Sequence, residues 1–497
     1  MNKAYETLET RFRRLNALGG ALAMLSWDRS VMMPSGSAEA RSEKMATLSV
    51  LVHEMKIAPD MGDLLGEAQD AGGLDEWQLA NLRQMRHGWL HSTAVPGELV
   101  DKMSRASAAS EMVWRSARAD NDFARLEKPF SETLGLIREA AAAKAEAFGV
   151  KPYDALLDMY DPGRTSTDVD TIFNDLLSFL PGMINEIVEH QSNQTPIDGP
   201  KAPFDVAAQE KLGRNIIETI GFDFNTGRLD VSLHPFSGGV PDDSRITTRY
   251  AENDFSLSLM GLVHETGHSM YERGLPKAWR TQPAGRACGL TLHESQSLLY
   301  EMQAARSPQF VGYITPLLRE AFSGDEAVWS EAAILQLYHK VKRSLIRVDA
   351  DEATYPLHVI LRYRLEQAMI AGDLKTKDLP EAWRAAMEEL VGVVPDSDAN
   401  GCMQDIHWPS GSFGYFPTYT LGALTAAQIF ATIKDQVPDV LAQIGAGDFS
   451  NLNAWLRTNI HEQGSLLSPD ELIEKATGAP LSTQAFKAHL KQRYLPN

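Results

Sequence analysis

Two cysteines in 497 residues, Cys288 and Cys402, leave almost nothing for covalent cross-linking. Neither has a CxxC neighbour, and a chain of this length buries roughly three quarters of its unfolded surface, enough to hold together without disulfides. Both thiols are expected to be buried and unreactive, in a reducing compartment. Basic charge is also in deficit: 47 Lys and Arg against 66 Asp and Glu give a formal net charge of −19. A surface this acidic repels nucleic acid and anionic lipid, so neither is expected as a partner. No apolar run approaches the ~20 residues of a membrane span. The short run Leu18–Trp27 follows Arg11, Arg13 and Arg14, but Glu6 and Glu9 break the basic region and no A-x-A site follows. It reads as an amphipathic helix and not as a signal peptide, which places the chain in the cytoplasm. Internal repeats and long Ser/Gly or Pro linkers are lacking as well, so a solenoid or a string of tethered domains is excluded.

What is present is helical periodicity. Tyr5–Leu18, Ala38–Glu54 and the alanine-rich Glu139–Phe148 carry it. Alternation of the strand type is confined to Arg228–Leu233 and the glycine-, proline- and β-branched-rich HPFSGGVPDDSRITTRY after it. This segment predicts a small sheet with turns in an otherwise helical protein. The loops at Ser192–Pro203 and Val394–Gly401 read as punctuation, and the sequence supports no domain boundary at either. The expectation is a mainly α fold, one domain over residues 1–497, with room for two lobes beside a cleft that the sequence does not locate.

One stretch carries chemistry: GLVHETGHSMYERG, residues 261–274. Leu257–Arg273 is expected to be helical, capped by Asn253 or Asp254 and stopped by Gly274 and Pro276. Residues four apart share a helix face, so His264 and His268 project together and can bind one Zn²⁺. Glu265 stands beside them as a general base. Leu259, Leu262, Val263 and Met270 supply the surface that packs the helix down, and Gly267 implies a close neighbour. A chance H-E-x-x-H at this composition is expected only about 0.02 times per chain.

A zinc hydrolase needs a third protein ligand and an open position. The continuation HExxHxxGxxH fails, because Tyr271 and Gly274 occupy the glycine and histidine positions. The alternative is a glutamate on a following helix. Glu294, in HESQSLLYEMQ, lies 26 positions after His268 and opens such a stretch. Glu272 and Glu301 compete, but eight residues past His264 the former has drifted roughly 80° around the helix axis. Glu294 is preferred. Two histidines, a glutamate ligand and a glutamate base suit peptide-bond hydrolysis.

With these residues in place, further segments show a resemblance to the carboxypeptidase Taq family of metallocarboxypeptidases, running over nearly the whole chain. SWDRSVMMPSGSAEAR resembles its N-terminal signature, and HPF stands at His234–Phe236. DSRIT (Asp243–Thr247) fits D-x-R-x-T, and IRVDAD (Ile346–Asp351) fits I-R-x-x-A-D. GCMQDIHW (Gly401–Trp408) fits G-x-x-Q-D-x-H-W and runs on into FGYFPTYTLG. The resemblance implies a large helical body with a deep groove, similar to neurolysin and angiotensin-converting enzyme. It implies stepwise removal of single C-terminal residues with broad specificity, one Zn²⁺ per chain with Co²⁺ able to substitute, and a homodimer.

The resemblance also distributes roles. A carboxypeptidase must grip a free α-carboxylate, and the planar fork of arginine suits this. Arg347 is the first candidate and Arg245 the second. His407 and Tyr415 resemble the oxyanion donors of related zincins, with Tyr419 as the alternative to Tyr415. His234 is a candidate for holding substrate backbone, and Asp405 for orienting His407. His358, on an apolar helical run, reads as structural. Pro356 departs from the pattern expected of relatives and is acceptable in a first helical turn. The rivals are an oligopeptidase cutting internally with the same metal site, and a metal-stabilised scaffold without activity, against which Glu265 argues.

Overall fold

A computed structural model describes residues 2–495. Helices dominate, accompanied by one three-stranded sheet. No helix among the described residues is long and apolar enough to cross a membrane. The chain forms two compact units. The first gathers residues up to Trp89, Thr195–His339 and Gly422–Leu481; the second gathers Leu90–Gln194, Lys340–Leu421 and the stretch from Ser482.

In the first unit the opening helix runs Lys3–Val31, well past the expected Leu18. Gly19 and Gly20 weaken the sequence signal at that point, but Trp27 beyond them is buried and holds the helix in place. The next helix, Ala38–Lys56, matches its expected limits closely. The sheet comprises β1 (Gly227–Val231), β2 (Ser237–Val240) and β3 (Asp243–Thr248) in the order β1-β3-β2, parallel on one side of β3 and antiparallel on the other. Register places Arg228 directly beside Arg245. These like charges are compatible because each guanidinium has its own carboxylate, Asp230 and Asp243, and both lie over the Trp27 ring, at 5.0 and 4.5 Å.

The histidine helix spans Phe255–Gly274, capped by Asp254, whose side chain accepts from the Ser256 and Leu257 amides. Leu259, Leu262, Val263 and Met270 are all buried, as the pattern requires. Each contributes about 1.5–3 kcal/mol of transfer free energy, ample to seat a helix whose intrinsic propensity Gly267 lowers. Gly267 has its expected close neighbour: a Cβ there would stand 2.6 Å from the Gln296 carbonyl oxygen and Ser297 Cα.

The second unit contains Phe123–Phe148, whose last turns are the alanine-rich stretch, the short helix Pro152–Leu157, and Tyr355–Ala371. Pro356 lies in the first turn of Tyr355–Ala371, where a missing N–H costs nothing. Both cysteines are buried and neither is in a disulfide.

Candidate active site

The histidine helix and the helix Gly289–Leu298 bring three ligand atoms together. Glu294 Oε2 lies 3.5 Å from His268 Nε2 and 4.0 Å from His264 Nε2. One ligand atom from each of the three side chains falls within 4.8 Å of the others. Ligands about 2.0–2.1 Å from a tetrahedral ion sit roughly 3.3 Å apart, so the spacing suits one small divalent cation. Glu294 does not open its helix as expected but sits in its second turn. Gly289 and Thr291 are weak helix formers, and burial of Thr291 and Leu292 starts the helix early. Gly422 packs against it, since a Cβ there would meet Glu294 Cβ at 2.9 Å.

The remaining ring nitrogens are held by protein, which is what a metal site needs. His264 Nδ1–H donates to Glu301 Oε2 at 2.9 Å, and Glu301 is itself fixed by Arg306 at 2.7 Å. His268 Nδ1 lies 3.1 Å from the His293 carbonyl oxygen and 2.8 Å from His293 Nδ1. His293 Nε2 in turn lies 3.0 Å from Glu272 Oε1. With His293 Nε2–H donating to Glu272, His293 Nδ1 is an acceptor, and it and the His293 carbonyl select the His268 tautomer that leaves Nε2 free for a metal. The two competitors for third ligand thus bond to imidazoles of this cluster, Glu301 to the candidate ligand His264 and Glu272 to His293. Glu301 was findable: it lies seven residues after Glu294 and so on the same face. It reaches His264 from a wider, π-helical turn, Leu299–Ala304, of the kind that recurs at functional sites.

Electrostatics agree. Burial lowers the His264 pKa, but Glu294, Glu301 and Glu265 outweigh it and push the ring up to about 10. Burial dominates at His268 and brings it down to about 4. Burial alone would raise Glu294, yet the neighbouring imidazoles hold it down to about 2. Glu265 is 7 % exposed, and burial raises its carboxyl up to about 7. That carboxyl accepts no hydrogen bond from a described residue. A cluster of carboxylates and imidazoles pulled in opposite directions is the environment a dication neutralises.

The second unit holds the other candidates. Arg347 is 5 % exposed. Its Nε and Nη2 donate to Asp405 Oδ1 at 3.2 and 2.8 Å, and Nη1 donates to the Tyr355 hydroxyl at 2.6 Å. Its guanidinium carbon lies 5.0 Å from the Tyr419 ring centroid. Arg362, absent from the sequence reading, is fully buried. Its Nε donates to Asp405 Oδ2 at 2.7 Å and its Nη2 to Gln404 Oε1 at 2.8 Å. A charged residue inside the apolar run VILRY was the available signal. Burial would raise Asp405, but the two guanidinium groups outweigh it and hold the carboxyl well below the ordinary range.

Asp405 does not orient His407 by a hydrogen bond. It approaches His407 Nδ1 no closer than 4.0 Å, and that nitrogen is buried without a partner. Both oxygens of Asp405 are committed to arginine. Burial lowers His407 to about 4, so the ring is neutral near pH 7. The ring centroids of His407 and Tyr415 are 5.5 Å apart, and those of Tyr415 and Tyr419 5.2 Å. His358 is fully buried, in keeping with a structural position.

Arg245 and His234 belong to the sheet region of the first unit. Arg245 donates to both oxygens of Asp243, at 2.9 and 2.6 Å, and stacks on Trp27. Its fork is already occupied, which favours a structural role for D-x-R-x-T. Thr247, the last residue of that motif, donates to the Phe236 carbonyl and accepts from the Phe236 amide at 3.0 Å. His234 is exposed, and its carbonyl accepts from Ser232 Oγ at 2.6 Å.

A family model described as carboxypeptidase Taq (M32) metallopeptidase matches residues 7–494. Thermostable carboxypeptidase 1 of Pyrococcus furiosus is 35% identical over 499 residues, covering 99% of each chain. Its namesake in Thermus thermophilus is 36% identical over 510 residues, covering 99% of this chain and 98% of its own. Among solved structures, Trypanosoma cruzi metallocarboxypeptidase 1 matches with a TM-score of 0.97 at 39% identity, over 100% of both chains.

Proposed function

Because the chain belongs to the carboxypeptidase Taq (M32) family and is a metallocarboxypeptidase, we propose that it removes single residues from peptide C-termini with broad specificity, through Zn²⁺ held by His264, His268 and Glu294. The observation that carries this reading is the convergence of ligand atoms of His264, His268 and Glu294, to which the buried carboxyl of Glu265 is coupled electrostatically through His264 and Glu294.

A divalent ion held there supplies Lewis acidity and lowers the pKa of water. Glu265 accepts the proton of the attacking water and returns it to the leaving amine. Its carboxyl, raised by burial to about 7, is suited to both halves of that transfer. Arg347 binds the terminal carboxylate and fixes which peptide bond reacts. Arg245 is the weaker candidate because Asp243 already fills its fork. His407, a neutral imidazole, and Tyr415 donate to the developing oxyanion, with Tyr419 as the alternative phenol. Co²⁺ in place of Zn²⁺, a cytoplasmic homodimer, and a fold likeness to neurolysin and angiotensin-converting enzyme complete the proposal.

The test is a paired digestion followed by mass spectrometry, using metal-loaded protein and one peptide with its C-terminus free or amidated. Stepwise shortening of the free peptide alone, absent in Glu265→Gln, is the expected result. Internal cleavage of both peptides makes the protein an oligopeptidase and removes the role of Arg347. No cleavage of either leaves only a metal-binding scaffold.

A further inference from the structure

Glu366 is a carboxyl with no place in the mechanism above, yet it is fully buried on the helix Tyr355–Ala371. Three donors from three places converge on it. The Tyr153 hydroxyl donates to Oε2 at 2.7 Å, Trp408 Nε1 donates to Oε1 at 2.8 Å, and the Gly414 amide donates to Oε2 at 3.1 Å. A buried carboxyl is costly unless its lone pairs are filled: burial pushes Glu366 up to about 7, and the bonds from Tyr153, Trp408 and Gly414 oppose that rise.

The two loop donors matter by position. Trp408 directly follows His407 and Gly414 directly precedes Tyr415. The segment between them folds back on itself, the Ser412 amide and the Ser410 hydroxyl both donating to the His407 carbonyl, at 2.8 and 2.9 Å. One carboxylate therefore ties both ends of a small closed loop to a rigid helix. Gly414 has φ +83°, and a Cβ there would lie 2.8 Å from the Leu156 carbonyl carbon, so the loop also rests on the helix Pro152–Leu157. The Trp408 ring is 4 % exposed and packed edge-on to Trp383, with centroids 5.7 Å apart.

We infer that Glu366 is a positioning residue, which fixes the loop between Trp408 and Gly414 and thereby the placement of the His407 and Tyr415 side chains. The inference rests on the oxyanion role assigned to those two residues. Neither indole nor peptide N–H can turn round to accept, so only an anionic or carbonyl oxygen serves both ends. Glutamine offers one carbonyl oxygen and one NH₂, so it can keep one loop bond but must confront the other donor with a donor.

Glu366→Gln therefore tests the idea with little change of volume. Enzyme loaded with Zn²⁺ is compared with wild type for kcat, KM, metal content and amide hydrogen exchange. The expected result is a kcat lower by about tenfold to a hundredfold, with KM within about twofold and metal content unchanged. Amides of residues 407–415 exchange faster while those of the histidine helix do not. A merely structural role would reduce the folded fraction and leave kcat per folded, metal-loaded molecule intact. Trp408→Phe, which removes one loop bond and keeps the ring, is expected to lower kcat in the same sense by a smaller factor. Unchanged kcat per folded molecule in Glu366→Gln overturns the inference whether or not exchange rises. Failure of the functional reading itself would show already in the unmutated protein, as metal-loaded enzyme that releases no C-terminal residue.

Discussion

Arg347 offers the sharpest test of how the chain recognises a peptide end. A guanidinium has five N–H donors. Nε and one N–H of Nη2 serve Asp405, and one N–H of Nη1 serves Tyr355. One N–H remains on each terminal nitrogen, a fork matched to a carboxylate. Charge points the same way: Arg347 and Arg362 share the single carboxylate of Asp405, so this bonded cluster carries one positive charge in excess. An incoming α-carboxylate would neutralise it. Two charge-assisted hydrogen bonds at about 1.5 kcal/mol each give about 3 kcal/mol, or roughly a hundredfold in affinity. In Arg347→Gln, Asp405 keeps Arg362 at 2.6 Å, and the pair becomes one to one. The fold should therefore survive the substitution. The assay is calorimetric titration of Zn²⁺-loaded Glu265→Gln protein with one peptide, free or amidated at its C-terminus. The free form is expected to bind roughly a hundredfold tighter, and adding Arg347→Gln to reduce that preference to about tenfold or less without weakening the amide. A preference that survives intact, or equal weakening of both peptides, refutes the reasoning.

Glu265→Gln should lower kcat by about 10²–10⁴-fold, the usual worth of a general base, with Zn²⁺ content by elemental analysis unchanged. Glu301→Gln, which weakens the acceptor on His264 Nδ1, should lower Zn²⁺ affinity about 10–100-fold in a chelator competition. Asp405→Asn is the opposite of the arginine change: it strands two buried guanidinium groups and should cost about 3–5 kcal/mol in denaturant unfolding. Its pH dependence has a definite sign. The folded Asp405 carboxyl titrates below its unfolded value, so its stabilisation is complete above about pH 4 and is lost as pH falls through the folded pKa. The stability gap between wild type and Asp405→Asn should therefore narrow in acid; a gap independent of pH down to the acid limit would contradict the pairing.

The parts of the site that could be read in advance are those whose geometry one continuous element dictates. His264 and His268 share a face by helical spacing alone, and Gly267 announced the close approach of Gln296 and Ser297. Glu294 could be selected because Glu272 turns off that face, although burial moved the start of its helix. Adjacency along the chain misled where the backbone is irregular. Asp405 stands two residues from His407, and the natural reading pairs them. The folded chain instead gives both its oxygens to Arg347 and to Arg362, the latter 43 residues earlier on a helix. A carboxylate two residues away gains little from a neutral imidazole, whereas two buried guanidinium groups without it would be left uncompensated. The same logic hides Glu366, whose partners Tyr153, Trp408 and Gly414 are as far as 213 residues distant. No spacing rule reaches across such separations. A buried charge within an apolar helical run is nonetheless a signal, because it must find partners somewhere. VILRYRLEQ contains two of them, Arg362 and Glu366. Each ties that helix to one part of the segment around His407, Arg362 through Asp405 and Gln404, and Glu366 through Trp408 and Gly414.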